Sequence, residues 1–278
     1  MLKQRVITAI VLLLVLLPAV FAPVAWPFAL LTLVMVAAAG WEWGRLNGAS
    51  SAASVSMGVV VAVLCLAAYL AGWVGVGGSP AWWIACAVWV LGGALAVKVG
   101  PSSWPQLPKA GRWVLGVAML FTAWLALASA KVVGLNFLLS VFCLVWVADI
   151  AAYFGGRTFG RRKLAPSISP GKSWEGVWSG MVGVMVLAAV WIWIDKTWAT
   201  GSPSLFTLLW QRFDAPGLLL ALVFLCAMSV IGDLVESLVK RAAGAKDSSQ
   251  LLPGHGGVLD RVDALLPVFP IALALSSI

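Results

Sequence analysis

Long apolar runs separated by short polar segments dominate the chain. We identify about nine such runs, at roughly 6–22, 27–46, 54–72, 81–99, 113–130, 134–153, 176–194, 216–237 and 263–277. A helix of about 20 residues crosses the hydrocarbon of a bilayer and satisfies its own backbone hydrogen bonds there. The pattern therefore predicts an all-α, polytopic integral membrane protein with about nine transmembrane helices.

The composition excludes an ordinary soluble domain. Of the 278 residues, 62% are hydrophobic and 10% are charged, whereas soluble domains carry about 25% charged residues. Four cysteines (Cys65, Cys86, Cys143 and Cys226) each lie inside an apolar run, and none forms a C-x-x-C pair. This usage indicates neither a zinc site nor a disulfide framework.

The distribution of positive charge indicates orientation rather than nucleic-acid binding. The net charge is +8, with 18 Lys and Arg residues. If the N-terminus is cytoplasmic and the runs alternate, all of these except Lys131, Lys196 and Arg212 fall on the cytoplasmic side. This asymmetry follows the positive-inside rule. Segment 6–22, behind Lys3 and Arg5, resembles a signal peptide, but it exceeds a usual signal core in length, so we expect it to be retained.

Two polar loops on this predicted cytoplasmic side, 155–175 and 240–262, differ from the other connections. Both are rich in Gly, Lys, Arg and small hydroxyl residues, and acidic residues flank both of them. All ten acidic residues except Asp195 and Asp214 fall on the same side. We therefore divide the chain into a membrane scaffold, 1–133, and a catalytic region, 134–278.

Carboxylates at the ends of apolar runs are the first candidates for chemistry. Asp149 lies in the sixth run and Asp233 in the eighth. A charged side chain within a membrane costs free energy, so we take each of these two residues as a candidate for function. Glu236 and Lys240 follow Asp233 on the same helix face. Asp260 and Asp263 repeat the spacing of three residues at the start of the ninth run, and carboxylate oxygens are ligands that suit Mg²⁺.

Glycine-rich and basic segments beside these carboxylates fit phosphate binding. Pro253-Gly254-His255-Gly256-Gly257 holds the only histidine, and its glycines let the backbone approach a ligand closely. Basic residues that could clamp phosphates are Lys240, Arg241, Lys246, Arg157, Arg161, Arg162, Lys163 and Lys172. Gly171-Lys172-Ser173 echoes the end of a P-loop. Pro166 replaces the required first glycine, however, and no strand is predicted ahead of it, so a Walker A site is excluded.

Three motifs resemble those of the phosphatidate cytidylyltransferase (CDP-diacylglycerol synthase) family. The principal signature comprises Ser237, Lys240, Arg241, Lys246, Asp247, Pro253, His255, Gly256, Gly257, Asp260, Arg261 and Asp263. A second comprises Ser169, Pro170, Lys172, Ser173, Glu175 and Gly176, and a third Asp149, Ala152, Tyr153, Gly156 and Arg157. The chain departs from the family pattern at Ser249, where glycine is frequent, and at Ser173, where threonine is common.

The resemblance implies CTP and phosphatidate as substrates, Mg²⁺ dependence with room for a second cation, and a homodimer of helical subunits. We expect Asp233, Asp260 and Asp263 to hold the metal, with Asp149 as a further candidate. His255 and Lys240 are placed at the catalytic centre. The expected substrate contacts are Arg241, Lys246, Asp247, Lys172, Ser169, Arg157, Gly256, Gly257 and Arg261. The site would face the cytoplasm at a bacterial inner membrane.

Two other functions remain open at this point. A CTP-dependent lipid kinase would transfer the terminal phosphate and release CDP. A transporter would place polar residues near the bilayer midplane and show repeated halves, whereas the acids here gather on one side and no repeat is evident.

Overall fold

The computed structural model describes residues 2–76, 80–198 and 201–277, with side chains from residue 6 onward. The predicted all-α architecture is confirmed. The helices are α1 (Leu2–Phe21), α2 (Trp26–Leu46), α3 (Ser51–Leu70), α4 (Pro80–Val88), α5 (Ala94–Val99), α6 (Lys109–Val133), α7 (Leu135–Phe159), α8 (Trp174–Thr197), α9 (Leu205–Ala242), α10 (Leu259–Val262) and α11 (Leu265–Ser276). A π turn, Trp89–Gly93, joins α4 to α5.

Seven stretches within these described ranges are long and apolar enough to span a membrane: α2, α3, the continuous segment Pro80–Val99, α6, α7, α8 and α9. The apolar part of α1, Val6–Phe21, is shorter, and α11 has 12 residues. Leu70, Leu91 and Leu220 are 76%, 72% and 72% exposed, as lipid-facing side chains would be. The chain is an integral membrane protein, and the count of nine spans stays a prediction.

Small residues bring neighbouring helices close together. Where α7 packs on α8, a methyl group added to Gly180 would press on the carbonyl of Ala148. Where α2 packs on α3, one added to Gly58 would press on the carbonyl of Ala37. Close approach of this kind is the usual basis of helix association in lipid, where apolar burial supplies little driving force.

The longest helix, α9, is broken near its start and carries the principal signature at its end. Asp214 has φ 54° and Pro216 follows it, so the helix changes direction just before the predicted run 216–237. Ahead of the break, Asp195 of α8 accepts hydrogen bonds from Ser204 N at 3.1 Å, Ser204 Oγ at 2.6 Å and Thr207 Oγ1 at 2.6 Å. These bonds fix the beginning of α9.

The first polar loop contains a β-hairpin that the sequence analysis did not predict. Strands β1 (Lys163–Ala165) and β2 (Ser169–Ser173) pair antiparallel, and the side chain of Ile168 is buried beside their turn. The expectation that no strand precedes Lys172 was therefore wrong. Exclusion of a P-loop stands, because β2 itself carries Lys172 and runs straight into α8.

Contacts hold α1 near both of its ends, on two opposite sides of the fold. On one side, Thr8 of α1 donates to the carbonyl of Pro253 at 2.9 Å, next to the principal signature. On the other, Lys131 Nζ donates to the carbonyls of Val20 and Ala22 at 2.6 and 2.9 Å, at the end of α1. The side chains of Lys3 and Arg5 lie outside the described residues. Retention of α1 and the cytoplasmic position of its start stay predictions.

Candidate active site

The segment between α9 and α10 folds into a compact loop, which we call the signature loop (residues 243–258). Leu252 and Gly256 pair across it, and His255 N donates to the carbonyl of Leu252 at 2.8 Å. Gly254 and Gly256 have φ of 78° and 82°, a left-handed conformation that disfavours residues with a Cβ. The two glycines therefore shape the turn that presents His255.

The carboxylate of Asp260 in α10 holds the signature loop by accepting hydrogen bonds from it. Its Oδ2 accepts from Ser248 N, Ser248 Oγ and Gly257 N, each at 2.8 Å. Its Oδ1 accepts from Lys240 Nζ at 2.6 Å. Burial alone would raise the pKa of Asp260, but these hydrogen bonds outweigh it and hold the pKa at about 2. Both oxygens are thus engaged by protein donors.

Lys240 lies between two carboxylates at the end of α9. Its Nζ is 2.6 Å from Glu236 Oε2 as well as from Asp260 Oδ1. Glu236 is buried, and Lys240 and Asp260 are partly buried. The shared helix face of Glu236 and Lys240, predicted from their spacing, is confirmed. In this arrangement Lys240 neutralises the acids behind the signature loop.

Glu42 of α2 also holds the signature loop, and the sequence analysis missed it. Glu42 is 0% exposed. Its carboxylate accepts from the Ser249 hydroxyl, from Ser248 Oγ at 3.2 Å, and from the backbone N–H groups of Val258 and Leu259 at 2.9 and 2.7 Å. One available signal was a carboxylate in an apolar run, the same criterion that selected Asp149 and Asp233.

A cavity of about 530 Å³ lies between α7, α8, α9 and the hairpin. Its apolar walls include Val177, Met181 and Val230. The predicted site residues Asp149, Arg157, Ser169, Lys172 and Asp233 also line it. The cavity therefore combines apolar walls with a charged part of its lining, which we call its mouth.

An ion pair between Lys172 and Asp233 crosses this mouth and links β2 to α9. Ser237 Oγ donates to the other oxygen of Asp233 at 3.2 Å. Gly232 explains the position of Asp233, because a methyl group at Gly232 would collide with the carbonyl of Asp263. Helix α9 thus comes close enough to the α10–α11 junction to bring Asp233 and Asp263 near each other.

The four predicted metal ligands fall into two groups. Asp260 is occupied by the signature loop. Asp263 lies within electrostatic range of Asp233 and Lys172, and Asp149 lies within range of the same two residues. Across the parts of the chain that the structure describes, no three carboxylate, imidazole or thiol groups lie close enough together to hold an ion unaided.

The donor chemistry at the mouth nevertheless fits Mg²⁺. This ion demands oxygen ligands, keeps several waters, and is commonly held by one or two carboxylates together with substrate phosphates. Asp149, Asp233 and Asp263 supply carboxylates around Lys172. An ion held by one or two of these carboxylates, by water and by substrate phosphates needs no further protein ligand. Asp260, whose two oxygens already accept hydrogen bonds from the protein, stays a predicted ligand.

Other predicted substrate contacts line a second cavity, of about 820 Å³, on the outer side of the signature loop. Its walls include Lys246, Asp247, His255, Gly256 and Arg261. His255 Nδ1 is buried and has no hydrogen-bond partner among the described residues. The hydrogen-bonding capacity of this nitrogen is therefore not used by the described part of the protein.

Two predicted substrate contacts are instead engaged with protein. Gly257 lies against Glu42 and Ser248, so that a methyl group there would collide with both. Arg241 donates from Nη1 to the carbonyl of Ala245 at 3.1 Å and from Nε toward that of Ile168 at 3.4 Å. Arg241 therefore ties the hairpin to the start of the signature loop.

Comparison with known proteins agrees with these motifs. The cytidylyltransferase family matches residues 3–278. A phosphatidate cytidylyltransferase of Pseudomonas aeruginosa is 40% identical over 282 residues, covering 99% of this chain and 97% of the relative. Relatives of the same name from Haemophilus influenzae and Bacillus subtilis are 50% and 36% identical over 137 and 154 residues, covering 49% and 55% of this chain and 44% and 52% of theirs. The family match over residues 3–278 and the 40% identity across nearly the full length of a relative show that this chain belongs to the cytidylyltransferase family.

Proposed function

We propose that this protein is a phosphatidate cytidylyltransferase that makes CDP-diacylglycerol and pyrophosphate from CTP and phosphatidate. The observation that carries the proposal is the cavity whose apolar walls meet Lys172, Asp233 and Arg157 at its mouth. A phosphatidate needs both surroundings, because its acyl chains are apolar and its phosphate is anionic. The family membership supplies the cytidylyl group as the partner in the reaction.

In the reaction, a phosphate oxygen of phosphatidate attacks the α-phosphorus of CTP. A new P–O bond forms, the bond between the α-phosphorus and the bridging oxygen breaks, and pyrophosphate leaves with the electron pair. A phosphomonoester is already largely dianionic near neutral pH, since its second pKa is about 6. The protein therefore needs no nucleophile of its own, and its tasks are to align two anions and to offset charge on the leaving group.

Each task has residues in place. Lys172 and Arg157 bind the phosphate of the lipid at the mouth of the chamber, with Ser169 beside them. Lys246 and Arg261 bind the phosphates of CTP along the outer cavity. Asp233 and Asp263, with Asp149 as a further ligand, hold Mg²⁺, which when bound screens the phosphate charges and polarises the leaving pyrophosphate.

His255 orients the nucleotide and donates a hydrogen bond to it. Its side chain lines the outer cavity with an unpartnered ring nitrogen, and the anionic lipid has no proton that it must remove. Asp260 and Lys240 maintain the signature loop behind it rather than meeting the reacting atoms.

Charge placement supports a site at the cytoplasmic face of a bacterial inner membrane, where CTP is available. The basic residues near the site would also attract anionic lipid headgroups in that leaflet. We propose that the protein works as a homodimer through its first 133 residues and does not bind nucleic acid.

A labelling experiment tests the reaction. Purified protein is given phosphatidate, Mg²⁺ and CTP labelled at either the α- or the γ-phosphate. We expect the α-label in the lipid product and the γ-label in pyrophosphate. If the γ-label enters the lipid and CDP is released, the protein is a lipid kinase and the proposal is wrong.

A further inference from the structure

Glu42 gives the first half of the chain a direct part in the site. We propose that Glu42 is a positioning residue for cytidylyl transfer, which holds the signature loop and the start of α10 in their working arrangement. The inference rests on the proposed function for its kinetic consequences. Glu42 lies more than 200 residues from every group it binds: the separations to Ser248 and Leu259 are 206 and 217 residues.

The carboxylate is matched to its surroundings. A carboxylate accepts hydrogen bonds, and each of the four groups around Glu42 can donate one: two backbone N–H groups, the Ser249 hydroxyl, and the Ser248 hydroxyl, which Glu42 shares with Asp260. Among the ion pairs of the described residues, none involves Glu42. These donors therefore stabilise the carboxylate of Glu42 in its fully buried position. The carboxylate in turn fixes the positions of the residues that donate to it.

The two N–H groups lie at the beginning of α10, on the residue that precedes the helix and on its first residue. Such groups have no partner within a helix, and Glu42 supplies one to Val258 and one to Leu259. The next residue is Asp260, which binds Ser248, Gly257 and Lys240. Glu42 therefore sets the position of the element from which Asp260 shapes the loop that carries His255.

Ser248 connects the two acids. Its hydroxyl lies 2.8 Å from Asp260 Oδ2 and 3.2 Å from Glu42 Oε2. The single hydroxyl proton goes to one acceptor at a time, and the shorter distance favours Asp260. Ser249 donates its own hydroxyl to Glu42.

The test compares wild-type protein with Glu42→Gln, which keeps the size of the side chain but turns one acceptor into an NH₂ group that faces donors. We expect kcat to fall about ten- to a hundred-fold, the effect of a small misplacement of catalytic groups. The KM for CTP should rise while the KM for phosphatidate stays unchanged, because the lipid chamber is formed by other elements. Amide hydrogen exchange at Val258 and Leu259 should become faster.

Asp195→Asn is the matched control. Asp195 also accepts from a backbone N–H group and from hydroxyls, but at the opposite ends of the helices. We expect this variant to lower the temperature of unfolding while kcat, both KM values and exchange at Val258 and Leu259 stay at wild-type levels. Glu42→Gln protein that behaves the same way would overturn the proposal.

Two further measurements decide the cases in which Glu42→Gln does not fold or the proposed function is wrong. If Glu42→Gln does not fold, Ser249→Ala, which removes one of the four donors, should shift kcat, CTP KM and exchange in the same direction by a few-fold; no shift overturns the proposal. If wild-type protein makes no CDP-diacylglycerol, the proposed function fails by itself. Exchange at Val258 and Leu259 then still decides whether Glu42 holds the loop.

Discussion

Lys240 at the end of α9 donates a hydrogen bond of 2.6 Å to Asp260 at the start of α10, so a single ammonium group closes the signature loop at its base. The same ammonium lies 2.6 Å from Glu236. One ammonium group thus contacts two acidic side chains, and all three groups are largely withdrawn from solvent. Removal of the cation would leave both acids without their counter-ion.

Lys240→Met should therefore destabilise the protein as well as inactivate it. Removing one partner of a buried ion pair costs about 3–5 kcal/mol, because the remaining charge stays uncompensated. Thermal unfolding of the purified protein in detergent measures the effect. Adding Glu236→Gln to the same variant should restore part of the lost stability, and a double variant no more stable than the single one would contradict this account.

Asp260 and Asp263 should respond differently to replacement by Asn. Asp260→Asn weakens the hydrogen bonds that hold the signature loop, so it should lower both the unfolding temperature and turnover. Asp263→Asn should abolish most turnover while the protein unfolds near the wild-type temperature. Turnover is measured across a range of Mg²⁺ concentrations. Wild-type rates for Asp263→Asn at limiting Mg²⁺ would exclude Asp263 as a ligand.

His255→Gln should lose activity only modestly. Glutamine keeps a hydrogen-bonding group but cannot shuttle a proton near neutral pH. One hydrogen bond to a charged group is worth about ten- to a hundred-fold in rate, whereas a general base is worth about 10²–10⁴-fold. We expect the smaller loss and an unchanged shape of the pH–rate profile. A loss above about a thousand-fold with a missing limb of the profile would establish His255 as a proton carrier.

Cysteine labelling tests the topology. In intact cells, an impermeant thiol reagent should label Lys196→Cys and should reach Lys172→Cys and Lys246→Cys only after the membrane is opened. The native thiols Cys65, Cys86 and Cys226 are buried, and the parent protein measures their background together with that of Cys143. Labelling at position 246 but not at 196 in intact cells would reverse the orientation.

The membrane class and the all-α architecture were predictable from the sequence. Apolar runs act locally, because each helix satisfies its own backbone and needs only lipid or other apolar groups around it. For the same reason the spacing of Glu236 and Lys240 predicted their contact on one helix. The motif around His255 identified the family, since glycine, histidine and aspartate at set spacings constrain both backbone and charge.

Which partner each candidate residue contacts was decided by the tertiary structure alone. Asp260 and Asp263 are three residues apart and look equivalent in the sequence, but Asp260 accepts hydrogen bonds from the signature loop, whereas Asp263 lies within electrostatic range of Asp233. Glu42 carried no motif, and its role depends on donors more than 200 positions away. The β-hairpin also escaped prediction, because its short strands have no apolar alternation. Hydrogen-bond partners so distant along the chain are set by how the helices pack, and local sequence patterns contain no record of that packing.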